Sequence, residues 1–418
     1  MKKINNLTEY INVVENLSSI FKFNFPNGSY EDVYPDFREE DFTGEQKQSV
    51  MREQYIEDVW GKIFDVKERL YYQALRRRDS EVNFISSFYF RGVPDTAYLN
   101  APGIYRKGLP AGKSEHYFFN EIQVRCPSAF VGMKNINKLT YMQHYGCPTR
   151  LTDITSNPLV ALYFASLGND DKDGIVYVFG VPEGDIHYEQ SDRVQMLSKL
   201  AEFTPVEQKQ IIIRAYIYLL KGKFPQSSNG KYVDSVIERF YHAVKRDNGA
   251  FEREIVPLDL LKPLFVQVNR DNPRILKQDG AFIMSGLDFN ETDSDKKIDY
   301  YTADRIIIPA DKKPEMRRQL EKVCINQASL FPEVDRVADY LKKSINAVSF
   351  VTGIICNRRK TPVREFPDGG LCLSYYYSTV GPAETSALPA SLVSYFAKFL
   401  TNLDARSFAL VSHTETSA

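Results

Sequence analysis

Apolar residues recur at three- and four-residue steps near the start of the chain, where Leu7, Ile11, Val14, Leu17, Ile20 and Phe21 share one face. That spacing predicts an amphipathic helix over Leu7–Phe21 with Asn6 as its cap. A loop rich in Pro, Gly, Asn and Asp follows. Tyr55, Val59, Trp60, Ile63, Val66 and Leu70 then predict a long charged helix over Gln46–Arg78. The basic run Arg76-Arg77-Arg78 suits the negative pole at its end, and a solvated helix end is a plainer reading of it than nucleic-acid contact. Phe84–Arg91 is apolar and aromatic and stops at Gly92, which predicts a buried strand. Helices are expected over Glu115–Arg125, Asn137–His144 and Leu159–Leu167, the last with Asn157 as cap and Pro158 at its first position. Gly174–Gly180 predicts a strand and residues 183–250 an inserted helical layer. Strands return at Leu264–Val268, Gly280–Ser285 and Arg305–Pro309, and helices at Lys313–Ile325 and Pro332–Lys343. Beyond these, Ile345–Cys356 and Leu371–Tyr377 predict two strands and Ala390–Leu403 a final helix. The expected division is therefore 1–83, 84–343 and 344–418.

Composition changes this picture little. The 418 residues are 43% apolar and 13% aromatic, ample for a sizeable core. Fifty-three basic residues offset fifty-four acidic ones, so net charge gives no general pull toward nucleic acid or an anionic membrane. No stretch approaches the ~18 uncharged apolar residues of a membrane helix. The polar residues after Lys2 and Lys3 do not predict a secretory signal. The five cysteines are scattered without a Cys-x-x-Cys pair, which predicts buried thiols and a cytoplasmic setting rather than disulfides or a structural zinc.

Familiar catalytic motifs are missing. Gly108-Leu109-Pro110-Ala111-Gly112-Lys113-Ser114 is one residue short of a phosphate loop, and no apolar strand leads into it. Neither a His-Glu-x-x-His nor a Gly-x-Ser-x-Gly sequence occurs.

Two pieces do carry chemistry. Phe88-Tyr89-Phe90-Arg91-Gly92 ends an aromatic strand on an arginine, placed to fork onto a phosphate or carboxylate, and Gly92 would let a ligand approach the backbone. Pairing of Arg91 with a structural carboxylate is the competing reading. The second piece runs from Gln143 to Ala165 and packs His144, Thr149, Arg150, Asp153, Thr155 and Ser156 between apolar elements. Such a cluster is costly in a core unless its hydrogen bonds are satisfied, so it marks a polar knot or a site.

These two pieces resemble the FRG domain, whose hallmark reads Gln-His-Tyr-Gly-x-Pro-Thr-Arg-Leu-x-Asp-x-Thr-x-x-Pro-x-x-Ala-x-x-Phe-Ala. Pro273–Phe282 and Leu330–Asp335 also look like the family, so the resemblance covers about residues 84–343. The order of elements further resembles the arginine–serine–glutamate class of ADP-ribosyltransferases. That resemblance implies an α+β fold with an ADP-ribosyltransferase-like split β-sheet core and helical insertions. It implies NAD as substrate, a macromolecular acceptor, and a toxin or anti-phage effector of bacterial type restrained by an inhibitory or regulatory protein. Arg91, Gly92, His144, Arg150, Thr155 and Ser156 would contact NAD. Arg91 and Ser156 would serve catalysis together with Gln278, which stands where a glutamate is expected, or with Glu254 from Glu252-Arg253-Glu254. Glutamine can hydrogen-bond a ribose hydroxyl but supplies no negative charge. A module that binds a nucleotide or a protein without turnover, and a hydrolase using His144 and Asp153, are the alternatives.

Overall fold

A computed structural model describes residues 1–21, 67–78, 83–106, 114–221, 235–252, 255–287 and 297–342. The chain divides into two compact units, Met1–Lys343 and Ser344–Ala418. The second lies outside the described residues, as do the strands and helix expected in it.

The first unit is α+β. Its strands are β1 (Lys2–Lys3), β2 (Ile20–Phe21), β3 (Asn83–Phe84), β4 (Ser87–Val93), β5 (Leu151–Thr155), β6 (Gly174–Val181), β7 (Ile186–Tyr188), β8 (Leu264–Gln267), β9 (Gly280–Met284) and β10 (Thr302–Ile308). Eight of them form one mixed sheet in the order β1-β10-β6-β4-β5-β9-β8-β7, and β2 pairs with β3 alone. The helices include α1 (Leu7–Glu15), α2 (Lys67–Arg78), α3 (Glu115–Arg125), α4 (Asn135–His144), α5 (Pro158–Ser166), α6 (Asp192–Lys199), α7 (Pro205–Lys221), α8 (Ser235–Asp247), α9 (Pro257–Leu261), α10 (Pro273–Lys277), α11 (Lys313–Lys322) and α12 (Gln327–Leu330), and residues 334–342 are helical too. Among the described residues no helix is long and apolar enough to cross a membrane.

The sheet nearly parts in its middle. β4 follows β6 over seven residue pairs and β5 follows β9 over five. Between β4 and β5 the ladder is one pair, Phe90 opposite Thr155. Where two strands separate, backbone groups and side chains that would face a neighbour face open space instead, and this is where the site forms.

Both faces of the sheet are covered. On one side α5 packs with α1 and α11, and Val160, Ala161, Leu162, Met316 and Leu320 meet Phe90, Val176, Val178, Ile306 and Ile308. The larger helical layer, including α4, α6, α7 and α8, lies on the other and meets Tyr89, Ile175, Tyr177 and Phe179. Burial on both faces explains why β6 is apolar throughout rather than alternating.

Two glycines set how closely α5 approaches. A Cβ on Gly92 would lie 1.8 Å from the Ala161 carbonyl oxygen, and one on Gly174 would lie 2.1 Å from that of Ala165. The small residues Ala161 and Ala165 on the helix and glycines on two adjacent strands thus seat helix on sheet backbone to backbone. Gly92 is required for that seat, a packing role beyond the ligand approach the sequence suggested. Gly92→Ala is expected to cost at least about 3 kcal/mol, the upper end of ordinary overpacking, because the clash is with backbone that cannot rotate away. Urea unfolding followed by circular dichroism would measure it.

Several boundaries depart from the sequence pattern. The first helix stops at Glu15 with Asn16 as its C-cap. Ser18 then turns the chain by bonding Ile20, so that β2 can pair with β3. Strand pairing overrides the helical period there. Of the helix expected over Gln46–Arg78, the described part is α2. Arg91 and Gly92 lie inside β4, which continues to Val93, rather than at its end. The insert at 183–250 is not wholly helical, since β7 adds a parallel edge strand beside β8.

Candidate functional site

A cavity of about 560 Å³ opens at the parting of β4 and β5. Its walls come from both sides of the sheet. Thr140, Gln143 and His144 enter from α4, Val160, Ala161 and Phe164 from α5, and Arg274 and Ile275 from α10. Arg91 of β4, Asp153 of β5 and Arg106 complete the charged lining.

Arg91 is held across the gap. Its Nη1 donates to the Asp153 carbonyl oxygen at 2.6 Å, Nε is buried without a hydrogen-bond partner, and no described residue engages Nη2. Burial, reinforced by the nearby Arg106 charge, pushes its pKa down to about 10 against the pull of Asp153 and Tyr177. At pH 7 roughly one such group in a thousand is neutral, so the cation persists. Arg106 donates from Nε to the Ala101 carbonyl at 2.8 Å, and the Arg274 guanidinium lies 4.7 Å from the centre of the Phe331 ring. None of these three guanidiniums is ion-paired to a carboxylate among the described residues. Three arginines therefore face one cavity whose described lining holds a single carboxylate, that of Asp153.

The motif that marked the second piece of sequence divides into three structural tasks. The first fixes Asp153. Gln143 donates from Nε2 to Asp153 Oδ2 at 3.0 Å, and Thr149 donates from Oγ1 to Gln143 Oε1 at 2.7 Å. The second is a buried clamp. Arg150 is wholly buried and outside the cavity lining; its Nε donates to Glu115 Oε2 at 2.9 Å, Nη2 reaches the same carboxylate, and its backbone N–H takes Glu115 Oε1 at 2.9 Å. This arginine ties the first turn of α3 to the start of β5, a structural place rather than the NAD contact implied by the resemblance. The third is a knot at the end of β5. Thr155 Oγ1 donates to the Gln278 carbonyl at 2.6 Å and accepts from the Asn157 N–H at 2.9 Å. Ser156 Oγ donates to the Asp279 carbonyl at 3.4 Å. Asn157 caps α5 through the Leu159 N–H, with Pro158 at the first helical position as the sequence predicted.

Of the residues singled out in the sequence, Arg91, Gly92, His144, Thr155 and Gln278 line the cavity, while Ser156 and Arg150 do not. Gln278 uses its side-chain Nε2 to donate to the Leu330 carbonyl at 3.0 Å. Glu254 lies outside the described residues. His144 sits edge-on to Tyr145, with Nε2 3.8 Å from a Glu333 carboxylate oxygen. Burial and the Arg274 charge hold its pKa below the usual imidazole value despite Glu333. Among the other lining residues are Arg106, which the sequence did not single out, and Gln143 and Arg274, which the sequence offered only as parts of family-like segments without a site role. Their convergence depends on β5 pairing with β9, which brings α10 beside α4 and α5.

A family model, that of the FRG domain, matches residues 86–174. The match takes in Arg91, Arg106, Gln143, His144, Asp153 and Phe164 and ends at the first residue of β6, so the α10 wall lies beyond it. No curated protein and no solved structure matches the chain.

Proposed function

Taking the FRG domain at residues 86–174 as premise, we propose that the cavity at the sheet parting binds NAD and that the protein is an ADP-ribosyltransferase-like effector. The observation that carries this reading is the set Arg91, Arg106 and Arg274, three guanidiniums without carboxylate partners around one cavity. Arg91 keeps a buried Nε without a hydrogen-bond partner, which an anion in the cavity would satisfy, while the exposed Arg106 and half-buried Arg274 add positive charge at the rim, and guanidinium forks onto phosphate are among the strongest charge-assisted hydrogen bonds. At about 560 Å³ the cavity falls within the ~300–1,000 Å³ of small-molecule sites. Its apolar patches, Phe90, Val93, Val160 and Phe164, suit the flat rings at the ends of a dinucleotide. Arg91, with one nitrogen on the Asp153 carbonyl and another unengaged, is positioned to fork onto a phosphate while staying fixed.

The accompanying biology, a cytoplasmic toxin or anti-phage effector acting on a macromolecular acceptor and restrained by a regulatory protein, rests on family resemblance alone. Gln278 favours a second reading, a nucleotide-binding module without turnover, because its neutral amide is committed to Leu330. Calorimetric titration with NAD and ADP-ribose, run beside an assay of nicotinamide release in the presence of cell extract, separates the two. Binding with release supports the transferase and binding without release the module. Absence of binding to either nucleotide removes both.

A further inference from the structure

We propose that Asp153 is the carboxylate that acts on the bound substrate, an inference that rests on the NAD reading above. Gln278 carries no charge. Among the described residues that line the cavity, Asp153 is the one acid, and it is the exposed residue in a strand whose other four positions are buried. Its two oxygens are treated differently. Oδ2 accepts from Gln143, itself fixed by Thr149, whereas no described residue hydrogen-bonds Oδ1. One oxygen is thus a handle that sets the orientation of the group, and the other is left to face the cavity. No cation among the described residues lies within ion-pair distance of this carboxylate, and Arg91 takes its backbone carbonyl instead. A structural aspartate in a cavity with three arginines would be expected to pair with one of them. This one is held apart by an amide, which preserves its charge for a ligand.

The chemistry that follows is balanced by the substrate and acceptor. Cleavage of the bond between ribose C1 and the nicotinamide nitrogen sends the electron pair to the ring, so that nicotinamide leaves neutral and positive charge develops at C1 and the ring oxygen. Asp153 stabilises that charge electrostatically. It then takes the proton from the water or acceptor group whose lone pair forms the new bond to C1, and releases it to solvent. No oxidant or reductant is needed.

Asp153→Asn separates this role from a positioning one. Asparagine keeps an oxygen for Gln143, and the Arg91 contact is to the backbone, so ADP-ribose affinity and thermal stability should match the unaltered protein. Nicotinamide release should fall by about 100–1,000-fold, the usual effect of removing one electrostatic stabiliser. Asp153→Glu, which restores the charge on a longer stem, should release more nicotinamide than Asp153→Asn, and it supplies the comparison if the asparagine variant misfolds. Equal turnover in the unaltered protein and Asp153→Asn overturns the inference and leaves NAD as substrate. NAD binding without turnover by the unaltered protein overturns it also and leaves the binding module. Failure to bind NAD or ADP-ribose at all overturns the premise.

Discussion

Glu115→Ala is expected to lower folding stability by about 3–5 kcal/mol, the cost of leaving one partner of a buried ion pair uncompensated. Against the ~5–15 kcal/mol by which domains are stable, that loss is large enough to deplete folded protein at growth temperature. The reason is geometric. Both oxygens of Glu115 are occupied by Arg150, one by its backbone N–H and one by its guanidinium, and the arginine is wholly buried. Nη1 of Arg150 also donates to the Ser285 carbonyl at 3.4 Å, and the Ser285 N–H returns a bond to the Arg150 carbonyl at 3.0 Å, so the clamp gathers α3, β5 and the end of β9. Arg150→Met alone should be similarly harmful, because it strands the carboxylate. The double variant Glu115→Ala with Arg150→Met should recover part of the loss, since an apolar replacement of a whole buried pair is often close to neutral. Urea denaturation of the three variants checks the order. If Glu115→Ala were no less stable than the double variant, the pair would not be the clamp described.

The second large effect concerns binding. Arg91→Ala should weaken ADP-ribose and NAD affinity about 10–150-fold, corresponding to the ~1.5–3 kcal/mol of hydrogen bonds to a charged group. Arg91→Lys should recover little. An ammonium is a point charge on a flexible stem and cannot hold the Asp153 carbonyl and a phosphate together as a planar fork does. Calorimetry on both variants, with circular dichroism as a check of fold, measures this. A lysine variant that binds like the unaltered protein would show that charge alone suffices, and that the contact across β4 and β5 does not matter.

Much of the architecture could be read from the chain before any coordinates. The strands β6, β8, β9 and β10, the caps of α1 and α5, and the two pieces around Arg91 and Gln143–Ala165 follow from apolar runs and cap residues. The roles inside the second piece could not be read that way. Arg150, just before β5, is locked onto Glu115 of α3, whereas Asp153 is the exposed position within the strand and stands in the cavity; three residues of sequence do not distinguish the two. Glu115 looks like an ordinary acid in the first turn of a helix, where the dipole welcomes it on the surface. Its burial is a tertiary fact. Arg106 carries no local pattern, and Arg274, although inside the family-like segment Pro273–Phe282, is brought to the cavity by the β5–β9 ladder. Gly92 invited a ligand-contact reading because glycine permits close approach; it does line the cavity, and the Ala161 carbonyl of α5 approaches it as well, which the sequence did not show.

Soaking or co-crystallising the protein with ADP-ribose tests the central claim most directly. Density is expected at the parting of β4 and β5, with phosphate oxygens within hydrogen-bond distance of the Arg91 guanidinium and of Arg106 or Arg274. Ligand bound elsewhere, or an Arg91 that turns to a protein carboxylate and leaves the cavity without a free cation, would contradict it.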